Sequence, residues 1–137
     1  MTTLAERMRE RLQYLRKPPV ILVVEKEKEI RELILEMLSG RGFEVRTAEN
    51  AAGALDLGRH EQLPIDLLLT ETEPEGIKAA EMVRLLHKTN PGMKILFMSG
   101  KFDEGFAFML GEQAGRLFLL RPFTRRELLE KIEGILG

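Results

Sequence analysis

The chain has no cysteine, so neither a disulfide framework nor a thiolate metal site is available to it. Its apolar stretches are short. The longest, Pro18 to Val24 and Leu117 to Leu120, fall far below the roughly 20 residues that a membrane helix requires. The N-terminus carries Glu6 and Glu10 and no apolar h-region, so it does not read as a secretion signal. Pro-rich tracts, Gly-rich tracts, repeats and low-complexity runs are all missing, which leaves one domain without a linker as the expectation. His60 and His87 are the only histidines, and each stands alone on a polar helical stretch, where simple solvation is expected. No metal cluster of the His or Cys type can be built from them. A soluble, cytoplasmic protein that neither spans nor lies on a membrane fits these absences.

A strong charge of either sign is lacking too. A formal net charge of −1 excludes a globally basic nucleic-acid binder. The balance is uneven, however: Arg7, Arg9, Arg11, Arg16 and Lys17 outweigh two acids in the first 17 residues, so the N-terminal segment is basic and the rest acidic.

What is present, over 137 residues that are 44% apolar, is alternation. From Val20 onward, short β-branched or Leu-rich runs alternate with longer segments of 3.6 period, the pattern of a parallel sheet covered by helices on both faces. The predicted strands are Val20 to Val24, Phe43 to Thr47, Asp66 to Thr70, Lys94 to Met98 and Leu117 to Leu120. Four are continuously apolar, as strands buried on both faces are. Phe43 to Thr47 alternates, which places it at a sheet edge. Ile30, Leu33, Ile34, Met37 and Leu38 form one apolar stripe ended by Gly40. Asn50 is the expected N-cap of the second helix, Asn90-Pro91-Gly92 stops the third, and Thr124 to Glu127 has the capping-box pattern for the last. The fold class is therefore α/β, a five-stranded doubly wound parallel sheet. Residues 1–19 form an amphipathic helix and a Pro-Pro joint, and residues 20–137 the domain.

In such a sheet, chemistry sits beyond the carboxyl ends of the strands. The residues there are Glu25 and Lys26, then Glu71, then Ser99 and Gly100, then Arg121 and Pro122. Ile21 to Glu27, Asp66 to Glu71, Leu96 to Gly100 and Arg121-Pro122-Phe123 resemble the four signature strand ends of CheY-like receiver domains of two-component response regulators. The resemblance covers residues 20–137. It implies a phosphorelay signalling domain, without enzymatic activity of its own, whose partner is a histidine kinase or an effector.

In such receivers an Asp pair after the first strand and the phosphoacceptor Asp after the third hold Mg²⁺, while a Ser or Thr and a Lys before Pro bind the phosphoryl oxygens. Here Ser99 and Pro122 match. The Asp pair has become Glu25-Lys26, the phosphoacceptor Glu71, and the Lys Arg121. Three carboxylates and an ammonium would carry −2 and invite a hard divalent cation. Glu25, Lys26, Glu71 and Arg121 are neutral together. At about 4 Å and an effective dielectric near 20, each facing pair attracts by roughly 4 kcal/mol before desolvation, so the pocket is expected to satisfy itself, with no metal or other cofactor. Glu71 also reaches about 1.5 Å further than Asp, and a misplacement of about 1 Å can cost a hundredfold in rate. Transfer to Glu71 is expected to be negligible.

Other readings stay open beside this one. Glu71 is either a tolerated acid or a mimic of the phosphorylated state that reaches toward Ser99 or Arg121. Phe118 occupies the position of the aromatic that swings inward on activation in receivers, or is a plain core residue. Phe102, Phe106, Met109 and Leu110 form a core stripe, and Phe106 with Phe108 makes a possible partner face. Leu4, Met8, Leu12 and Leu15 form an apolar ridge suited to packing on the domain or to a homodimer. A conventional phosphorylatable receiver is the first rival. A flavodoxin-like nucleotide or flavin binder is the second, but Glu25 to Glu29 is the opposite of the Ser/Thr/Gly-rich phosphate loop it needs.

Overall fold

A computed structural model describes residues 2–8, 18–60, 64–74, 77–100 and 117–137. Residues 4–8 are helical (α1). There follow β1 (Val20–Val24), α2 (Lys28–Leu38), β2 (Glu44–Ala48), α3 (Ala51–His60), β3 (Leu67–Glu71), α4 (Ala79–Thr89), β4 (Lys94–Ser99), β5 (Phe118–Leu120) and α5 (Arg125–Leu136). The strands form one sheet in the order β2-β1-β3-β4-β5, and every pair is parallel. The expectation of a five-stranded parallel α/β sheet holds, with β2 at an edge and displaced by one residue from its predicted start. The expected stripe and partner face at Phe102 to Leu110, including Phe106 and Phe108, lie outside the described residues.

Alternation along each strand builds two cores. Ile21, Val23, Leu67 and Leu69 point to one face, where Ile34 and Leu38 of α2 and Leu128 and Ile132 of α5 cover them. Leu22, Val24 and Leu68 point to the other, against Ala51 and Ala54 of α3 and Met82 and Leu86 of α4. Because β1 and β3 are buried throughout, their ends are held in place by the whole core rather than by loops.

Local signals act where the composition places them. The Asn50 side chain accepts from the Gly53 N–H at 2.8 Å, opening α3, and the Thr124–Glu127 capping box opens α5. Ser39 caps α2, and Gly40 follows it at φ 76°, the left-handed conformation that glycine adopts without strain. Two polar side chains, Asp66 half-buried and Asn90 buried, fasten strands. Asp66 accepts from the Val20 N–H at 2.7 Å, and Asn90, 4% exposed, accepts from the Ile65 N–H at 2.7 Å. Asn90 thus does more than stop α4; it ties the helix end to the entrance of β3.

One expectation is corrected. His87 is not simply solvated: it is half-buried, with its Nε2 3.0 Å from the Met93 carbonyl, because the turn into β4 folds back over the last turn of α4. Of the expected apolar ridge, Leu4 and Met8 are exposed, and Leu12 and Leu15 lie outside the described residues. Among the described residues no helix is long and apolar enough to cross a membrane.

Candidate functional site

The carboxyl ends of β1, β3, β4 and β5 bring Glu25, Glu71, Ser99 and Arg121 to one edge of the sheet. Glu25 directly follows β1 and is wholly buried. Burial of a carboxylate demands partners, and it has them: Arg121 Nη1 donates to Oε2 at 3.1 Å, and the Glu27 N–H to Oε1 at 3.2 Å. Arg121 is itself placed by its backbone N–H, which donates to the Ser99 carbonyl at 2.7 Å. The ion pair thus joins β1 to the loop after β5, with β3 and β4 between them.

Glu71 is the last residue of β3 and is 6% exposed. Its Oε1 is buried and makes no hydrogen bond. Burial, and then the negative charge of Glu25, push its carboxyl from 4.5 up to about 7; Lys26 and Arg121 pull the other way, and Glu27 adds a smaller upward push. The expectation of a pocket that satisfies itself is therefore half corrected. Glu25 takes the arginine, and Glu71 is left holding a proton near neutral pH. Of the two readings left open for Glu71, the one in which it reaches to Arg121 is not the arrangement seen, because the guanidinium is directed to the more deeply buried acid. Lys26 is exposed, and it acts on Glu71 through space.

Ser99 is half-buried at the end of β4, and Phe118 is 6% exposed, packed with Ala79 and Phe97. Phe118 lies beside Phe97 in register across β4 and β5. Sequence reasoning missed two participants. Arg31 donates through Nη1 to the Glu25 carbonyl at 2.8 Å and so fastens the loop between β1 and α2. Glu27 supplies the N–H on Glu25 and a second negative charge beside Glu71. The signal for Arg31 was available: an arginine one helical turn into α2 faces back toward the strand end.

The family model of the response regulator receiver domain matches residues 21–133. This chain belongs to the response regulator receiver domain family. Over 116 residues it is 28% identical to the sensor kinase CckA of Brucella abortus (strain 2308), covering 85% of this chain and 12% of that protein. Over 118 residues it is 29% identical to the response regulator receiver protein CpdR of the same organism, covering 85% of this chain and 95% of CpdR. A crystal structure of a CheY-like response regulator receiver domain protein from Methanospirillum hungatei JF-1 superposes with a TM-score of 0.73 at 29% identity, covering 87% of this chain and 94% of the other. This chain spans about half or less of the length of several curated relatives that it matches. The fold and the receiver class are thereby fixed, and two-component signalling is the setting of the domain.

Proposed function

We propose that this receiver domain signals by protein contact from a site that does not take up a phosphoryl group in the ordinary way. The observation that carries the reading is the buried Glu25–Arg121 ion pair at 3.1 Å beside a Glu71 whose buried Oε1 makes no hydrogen bond. Mg²⁺ asks for several hard oxygen ligands at once. Both oxygens of Glu25 already accept hydrogen bonds, the next residue is a lysine, and Glu71 offers one buried carboxyl oxygen without a partner. Among the described residues no three acids, histidines or cysteines converge closely enough to hold a metal. The donor set does not fit the ion. Phosphoryl transfer depends on positioning and on cationic charge at the developing oxyanions, and here the Arg121 guanidinium is engaged by Glu25.

Phe118 supports the same reading. Its ring already lies inside, against Ala79 and Phe97, so the inward arrangement needs no phosphoryl trigger. A histidine kinase or a downstream effector is the partner class, met in the cytoplasm through a protein surface rather than through nucleic acid or membrane, and the domain itself carries out no turnover. Calorimetric titration tests this: Mg²⁺ at millimolar concentration is expected to give no site-specific heat. Saturable heat that disappears in Glu25→Gln overturns the reading.

A further inference from the structure

An open apolar groove of about 390 Å³ runs along α2 and the loop after β5, lined chiefly by Ile30, Leu33, Ile34, Met37, Pro122 and Phe123. It lies on the sheet face opposite α3 and α4, and Leu33 stands 49% exposed on its outer lip. Beyond that lip α2 presents Glu29, Glu32 and Glu36, all exposed, so the apolar floor has an acidic shoulder. The same chain carries an uncovered apolar ridge with the opposite charge. The α1 helix is capped at its start by Thr3, whose Oγ1 accepts from the Glu6 N–H at 3.1 Å, yet Leu4 and Met8 are 65% and 57% exposed. The sequence continues that ridge at Leu12 and Leu15, with Arg7, Arg9, Arg11 and Arg16 beside it.

We infer that the groove between α2 and the loop after β5 receives the N-terminal amphipathic segment of a second copy of this chain. Three observations select that occupant. An isolated segment of this length makes a marginal helix in water, so its ridge has to be covered by something. The ridge is basic where the groove's shoulder is acidic, and each covers apolar surface that the other leaves exposed. The joint Pro18-Pro19 holds the backbone extended before β1, and Leu4 and Met8 are exposed in the single chain, which favours exchange between copies over folding back. With a two-fold axis, each copy gives its segment and receives the other's, so one contact is made twice.

The absence of native cysteine makes the test direct. Two full-length variants, Met8→Cys and Leu33→Cys, are mixed, one of them mass-tagged, and treated with a short bifunctional maleimide. Both positions are exposed, so neither change disturbs the core. The expected product is the crosslinked pair of unlike chains, in excess over either pair of like chains. Untreated full-length chain sediments with the mass of two copies, falling to one in Met8→Glu and in Leu33→Glu. A chain that is monomeric at every concentration overturns the inference. So does a dimer that crosslinks only Leu33→Cys to Leu33→Cys, or a doubly substituted chain that closes on itself at high dilution. Neither substitution alters Glu25, Glu71 or Arg121, so the reading of the strand-end site stands or falls separately.

Discussion

Glu71 and Glu25 are two acids at neighbouring strand ends, and burial treats them differently because only one has a counter-charge in hydrogen-bonding reach. The consequence for stability has a definite sign. A carboxyl whose folded pKa is raised holds its proton after the unfolded chain has lost it, so folding stability falls as pH rises from 4.5 toward 7 and levels off above that. The full effect is about 3 kcal/mol. Glu71→Gln should therefore raise the urea midpoint at pH 8 and leave it nearly unchanged at pH 4. A lower midpoint at pH 8 would mean that Glu71 is paired after all. This reverses what a pocket that satisfies itself implies, namely that removing any charged member strands another. For Arg121 that expectation stands, because Glu25 is 1% exposed and depends on it. Arg121→Gln is expected to cost about 2 to 3 kcal/mol, between the values for exposed and buried pairs, with most of it kept by Arg121→Lys. An unmoved denaturation midpoint would show that Glu25 is satisfied without the guanidinium.

The elements were legible in the sequence to within a residue or two wherever a single physical signal dominated. The apolar stripe of α2, the Asn50 cap, the capping box of α5 and the edge position of β2 each rest on local chemistry, and each appears in the fold. The misses have the opposite character. His87 and Asn90 find their partners through the turn into β4 and the entrance of β3, contacts that no local spacing announces. Gly58 is another such case. In the sequence it is one small residue in a small-residue helix, yet a Cβ there would lie 2.6 Å from Leu86 Cδ2, in the fully packed seam between α3 and α4. Gly58→Ala gains helix propensity but overpacks that seam, and a net loss of about 1 to 2 kcal/mol is expected in urea unfolding. A stabilised variant would mean that the Leu86 side chain can move aside.

For the whole molecule, the five-stranded parallel sheet and the edge position of β2 followed from the alternation of strands and helices, and four short motifs sufficed to suggest the receiver family. The internal wiring of the site did not follow. Charge counting balanced the four groups on paper but did not say which acid would own the arginine and which would be pushed toward its protonated form, since that depends on how deeply each strand end is buried. On the proposed function, this wiring leaves the receiver fold without ordinary phosphoryl transfer. The full chain, incubated with a small-molecule phosphodonor and Mg²⁺, is expected to keep its intact mass unchanged; a hydroxylamine-sensitive phosphoryl adduct on Glu71 would overturn that reading.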